Sequence, residues 1–299
     1  MEHSPNYFDP RVLARLEGLQ LRARRIVEGY VAGMHRSPYH GFSVEFAEHR
    51  EYAPGDDLRH LDWKVFGRTD KFYLKQFEEE TNLVCMLVLD ASESMGYRGP
   101  DAAMSKLQYA QTAAAAIGYL VLRQQDGVGL ATFDREVRTL LRAGSNASHL
   151  KEIVAAMDSA AAEKKTATGT VFHDLAERFK KRGVVAIFSD LFDDLDAILA
   201  GLKHFRHRRH DVIVFHVLDP AELDFPFHDT TLFRGLEQWP AAMVEPRTVR
   251  QAYLREIGEH LRRIKLGCRM HQIDYVEMRT DRPLDLVLSS YLASRMRRS

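Results

Sequence analysis

A seven-residue apolar run ending in an acid constrains this 299-residue chain more than any other feature. Leu83-Val84-Cys85-Met86-Leu87-Val88-Leu89 has no polar break, and Asp90-Ala91-Ser92-Glu93-Ser94 follows at once. An unbroken apolar stretch of this length reads as a strand buried on both faces, as in a parallel sheet covered by helices. Residues just past the carboxyl end of such a strand line the crevice where open α/β sheets bind ligands. One carboxylate and two hydroxyls are hard oxygen donors, suited to Mg2+, with Mn2+ or Ca2+ as alternatives. Asp and Ser are also ordinary turn residues, so the pentapeptide alone has a purely structural reading.

Two later segments extend the pattern. Thr166-Ala167-Thr168-Gly169-Thr170 precedes a helical stretch from Val171 to Arg182. Val184-Val185-Ala186-Ile187-Phe188 is a second buried-strand run, and it ends in Ser189-Asp190. A threonine-rich loop and a second strand-end acid thus follow the first acid in order. On these residues the chain resembles the von Willebrand factor A domain. Asp90, Ser92, Ser94, Thr170 and Asp190 match the five positions of its metal-ion-dependent adhesion site. The resemblance implies hydroxyls that touch the ion, one or both Asp acting through water, and a partner carboxylate that completes the shell. Thr170 is preferred to Thr168 because it follows the Gly, as that pattern asks.

The N-terminal third carries a second signature. It reads Gly41-Phe42-Ser43-Val44-Glu45-Phe46, then Arg50-Glu51-Tyr52-Ala53-Pro54-Gly55-Asp56-Asp57, then Arg59-His60-Leu61-Asp62-Trp63-Lys64. Arg68-Thr69 and Lys75-Gln76-Phe77-Glu78-Glu79-Glu80 follow. These strings resemble domain-of-unknown-function family 58, a bacterial and archaeal group with a von Willebrand A-like C-terminal part. Gly67 departs from the small Ala or Ser expected there. The resemblance implies a MoxR-type AAA+ ATPase as partner, or a client protein supplying a carboxylate, in chaperone-like assembly, maturation or stress response.

The fold expected is α/β, a doubly wound and mostly parallel sheet. A smaller helix-plus-strands segment over 1–80 docks on an A-like domain over 81–299, which carries an insertion at about 219–246. Pro10 to Met34 reads as a helix, Phe42–Phe46 and Phe72–Phe77 as strands, and Leu58–Phe66 as one or two helical turns. In the A-like part, helices are expected over about 102–124, 147–160, 195–208, 248–265 and 284–296. Strands alternate with them at Gly127–Phe133, Val212–Leu218 and Ile273–Met278. An antiparallel edge is expected at Glu136–Leu141, a hairpin around Leu232–Val244, and Ser145 or Asn146 as a helix cap.

Lys plus Arg and Asp plus Glu both number 42, so no global field points to nucleic acid. Two cysteines, Cys85 and Cys268, make no disulfide framework. The N-terminus lacks the basic-then-apolar order of a signal peptide, and no apolar run reaches the ~20 residues that span a bilayer. A cytoplasmic protein is expected. The basic string Lys203 to His210 reads as a helix C-terminus, where the dipole favours cations. The chain has no phosphate loop and no nucleophile elbow. A non-enzymatic binding module is therefore expected, with a metal-dependent hydrolase or phosphatase using Asp90 as the alternative. That alternative wants a second carboxylate at position 92, which is Ser.

Overall fold

The computed structural model describes residues 44–51, 63–69, 72–79, 83–100, 102–146, 148–160, 162, 168–233 and 241–296. The chain divides into two compact units, with a boundary between Asn82 and Leu83. In the smaller unit, β1 (Val44–Glu51) pairs antiparallel with β2 (Tyr73–Glu79), from Val44 opposite Glu79 to Glu51 opposite Tyr73. The register shifts between Phe46 and Glu48, where an extra residue bends the strand. A short helix, α1 (Trp63–Thr69), stands between them, and the Phe66 and Phe72 rings stack at 4.5 Å. The expected helix from Pro10 to Met34 lies outside the described residues.

The larger unit opens with β3 (Val84–Asp90), α2 (Lys106–Arg123), β4 (Gly127–Phe133) and β5 (Val137–Gly144). Next come α3 (His149–Asp158), α4 (Thr168–Arg178), β6 (Val184–Ser189), α5 (Leu195–His207) and β7 (Asp211–Leu218). A short α6 (Pro220–Asp224) and a hairpin of β8 (Thr231–Phe233) and β9 (Ala242–Val244) precede α7 (Pro246–Met270), β10 (Asp274–Arg279) and α8 (Leu284–Met296). The six-stranded sheet has the order β10-β7-β6-β3-β4-β5. Every pairing is parallel except β4 with β5.

The period of two along each strand builds two cores. Cys85, Leu87 and Leu89 of β3, with Ala186 and Phe188 of β6, meet Ala110, Ala113 and Ala114 of α2 and Leu288 of α8. Met86, Val88, Val185 and Ile187 point the other way, onto Phe172 and Leu175 of α4, Ile198 and Leu202 of α5, and Ile264 of α7. Helices thus cover both faces, the doubly wound arrangement expected from the apolar runs. No helix among the described residues is long and apolar enough to cross a membrane.

Several boundaries differ from the sequence reading, each for a local reason. Helix α2 begins at Lys106 because Ser105 closes a capping box with Gln108. Helix α3 begins at His149, whose N–H is taken by the Asn146 side chain at 2.9 Å. Helix α7 begins at Pro246, with proline in its first turn, and runs on to Met270. Helix α4 begins at Thr168, so the stretch taken for a threonine-rich loop ends in the helix's first turn.

Candidate functional site

Strands β3 and β6 are neighbours, so Asp90 and Asp190 emerge side by side at the same end of the sheet. Both are fully buried. Asp90 is fixed by Ser92 N–H, which donates to Oδ1 at 2.9 Å, and by the Ser189 hydroxyl, which donates to Oδ2 at 2.6 Å. Burial, and next the charge of Asp190, push the Asp90 carboxyl up to about 7, against the hydrogen bonds from Ser189 and Ser92. Ser92 and Ser94 follow on the turn after β3, with their Oγ atoms 3.1 Å apart.

Asp190 is held differently. The buried Lys106 ammonium donates to its Oδ2 at 2.8 Å and to Glu222 Oε1 at 2.5 Å. Burial works to raise the Asp190 carboxyl, yet Lys106 and a hydrogen bond from Ser94 hold it below its ordinary value. Burial would also lower Lys106, but the two carboxylates keep it charged and above its ordinary value. Glu222 is pushed up by burial despite the lysine. Behind Asp190, His216 Nε2–H donates to its backbone carbonyl at 2.7 Å, and Tyr275 O–H donates to Nδ1 at 2.8 Å. Burial lowers His216 to about 4, so it is the neutral ring that makes these bonds.

Leu191, next in the chain, has φ of 51°. A buried non-glycine residue in the left-handed region is strained, and such strain gathers at functional sites. The Ser189 hydroxyl accepts its N–H at 3.0 Å, and His260 Nε2–H donates to its carbonyl at 3.1 Å.

Four of the five residues read from sequence are therefore drawn together by one network: Asp90, Ser92, Ser94 and Asp190. Thr170 is not. It lies exposed on the first turn of α4, and that network does not reach it. Thr168 is fully buried, and its Oγ1 has no hydrogen-bond partner among the described residues. Its N–H donates to Asp193 Oδ2 at 2.7 Å, so a residue of the β6–α5 loop caps α4 and brings its start toward Asp190. Close packing fixes this approach: a Cβ added at Gly169 would sit 2.6 Å from Ala197 Cβ of α5. Lys106, Glu222, Ser189 and His216 were not singled out from sequence. For Lys106 a signal existed, because a cation opening a helix opposes the helix dipole.

The donor set is hard: carboxylate and hydroxyl oxygens, with an orphaned buried hydroxyl at Thr168. Among the described residues, no group of three or more His, Cys, Asp or Glu is arranged to hold a metal, so any ion here depends on the hydroxyls.

A parallel sheet with one antiparallel edge, and acids closing two central strands, defines the class: a doubly wound α/β domain. More particularly, the chain belongs to the family described as Protein of unknown function DUF58, whose model matches residues 48–263. It is similar to Uncharacterized protein Rv1480 of Mycobacterium tuberculosis and Uncharacterized protein Mb1516 of Mycobacterium bovis. Each is 27% identical over 300 residues, with 97% of this chain and 91% of the relative covered. Among solved structures, conserved hypothetical protein BatB from Bacteroides thetaiotaomicron matches 73% of this chain and 100% of its own at 18% identity and TM-score 0.47. The SpRpn10 VWA domain matches 73% of this chain and 96% of its own at 12% identity and TM-score 0.40.

Proposed function

We propose that this protein is a non-enzymatic binding module whose strand-end site holds Mg2+ and engages an acidic residue of a partner. The observation that supports it most is the pair of hydroxyls, Ser92 and Ser94, 3.1 Å apart within the Asp90–Asp190 network. Ser92, Ser94 and a threonine would hold the ion, with Asp90 and Asp190 beside it. Thr168 is the better threonine, since its buried hydroxyl is unpartnered while Thr170 is exposed. Few anions on the ion leave it electrophilic, so a carboxylate from outside is the natural last ligand. The partner class comes from the family resemblance: a MoxR-type AAA+ ATPase, with this protein as its adaptor. The hydrolase alternative is the weaker reading, because position 92 offers a hydroxyl already engaged with Ser94 where a general acid is wanted.

The test is capture from lysate with tagged wild type and Asp90→Ala, each in Mg2+ and in chelator. An AAA+ ATPase recovered only by wild type in Mg2+ is the expected result. Recovery in all four arms would remove the ion site as the docking point. In the same assay Thr168→Ala is expected to lose capture and Thr170→Ala to keep it.

A further inference from the structure

Among the described residues, the Lys106 ammonium stands out as a cation with no exposure to solvent. Its side chain is completely buried, Asp190 is 2% exposed, and Glu222 is 16% exposed, so the charges lead outward from the sheet end toward the surface. The Phe192 ring centroid is 5.0 Å from Nζ and that of Tyr97 6.0 Å, leaving the ammonium little freedom. The backbone is anchored as well: Lys106 N–H donates to Tyr97 O at 3.0 Å.

Helix stability does not explain this placement. Lys106 is the first residue of α2, the end where the dipole disfavours a cation, and it surrenders its hydration entirely. A buried ion pair is weak evidence of a stabilising role, since well-packed apolar residues often do as well. What the ammonium does accomplish is specific: it neutralises one of the acids that would face a metal ion.

We propose that Lys106 is a tethered competitor for the divalent cation. Pinned on Asp190 and held there by Glu222, its ammonium answers negative charge that an incoming ion would otherwise draw on. The resting site then binds the ion weakly. Loading becomes favourable when a partner carboxylate arrives to complete the shell, so ion and partner bind cooperatively. This rests on the ion-site reading above and adds the residue that sets the site's resting affinity.

The test is Mn2+ titration followed by electron paramagnetic resonance, without any partner, on wild type, Lys106→Met, Glu222→Gln and the double variant. Circular dichroism confirms folding. Lys106→Met is expected to bind Mn2+ at least about tenfold more tightly than wild type, as removing a nearby positive charge from a low-dielectric site should allow. Glu222→Gln is expected to bind more weakly, because an anion is lost and the lysine turns wholly to Asp190. The double variant removes one charge of each sign and stays closest to neutral; if Lys106→Met does not fold, it carries the test and must bind more tightly than Glu222→Gln. Measurable Mn2+ binding that is no tighter in Lys106→Met than in wild type or, where that variant does not fold, no tighter in the double variant than in Glu222→Gln, overturns the competitor role and leaves the ion site standing. No Mn2+ binding by any variant overturns the ion site and this proposal together.

Discussion

The two ends of the central sheet handle charge in opposite ways. At the amino ends of β6 and β7 the charges are numerous and wet. Arg208 reaches Glu177 at 3.7 Å with both side chains about half exposed, and His204 shares the same glutamate at 2.8 Å. Arg182 and Arg206 donate to backbone carbonyls of Arg209 and His210. At the carboxyl ends of β3 and β6 the polar groups are dry, and each depends on the next: Ser189 on Asp90, Lys106 on Asp190, Glu222 on Lys106. Water can replace either partner of the exposed Arg208–Glu177 pair. At the carboxyl end nothing replaces a lost partner, so the network must change as a unit or gain an ion. The basic string from Lys203 to Arg209 thus includes the largely solvated end of α5, while His210 after it is buried, and a single buried lysine carries more structural consequence.

The largest expected effect tests that dependence. Asp190→Ala leaves Lys106 buried with only Glu222 for company, and breaking a buried pair in this way costs about 3–5 kcal/mol. Urea unfolding in chelator would measure it, and a loss under about 1 kcal/mol would erase the distinction between the two ends.

Next is the pH response. Asp90 titrates at about 7 in the folded protein against an ordinary 3.8. The folded, ion-free state therefore keeps a proton that the unfolded chain releases. The resulting stability is full below about 3.8, declines as pH rises, and is gone above about 7. An ion must displace that proton, so Mn2+ affinity is expected to rise up to about tenfold per pH unit below 7 and to level off above it. Titrations at three pH values would show it; a flat profile would mean that Asp90 is already ionised without metal.

Smaller effects follow. Tyr275→Phe removes the donor to the buried His216 Nδ1 and is expected to cost about 1–2 kcal/mol in denaturant unfolding. Arg208→Ala, at the wet end, is expected to stay within about 0.5 kcal/mol. A reversed order for these two would break the comparison.

How much of this was legible in the sequence depended on distance along the chain. Asp90 and Asp190 were readable because one follows an apolar run directly and the other one residue later, and burial on both faces demands such a run. Cys85 is buried and free, as the apolar run around it suggested, and Cys268 is buried and free as well. The start of α4 was misplaced because its capping carboxylate, Asp193, lies 25 residues downstream. Lys106 and Glu222 escaped because their meaning lies in each other: no local pattern says that a four-carbon stem will reach an acid 84 residues away and another 116 residues away.

Those separations have a consequence for the order in which the molecule comes into being. The bond from Ser189 to Asp90 closes 99 residues, and the ion pair from Lys106 to Glu222 closes 116. Contacts of such reach are entropically costly to close and slow to form. During synthesis, β3 and α2 emerge first, yet the lysine has no native counter-charge until residue 190 has been made, and not its second until residue 222. The carboxyl end of the sheet is therefore a late product of folding, and an N-terminal fragment ending before β6 carries Asp90, Ser92 and Ser94 without Asp190 and without the site.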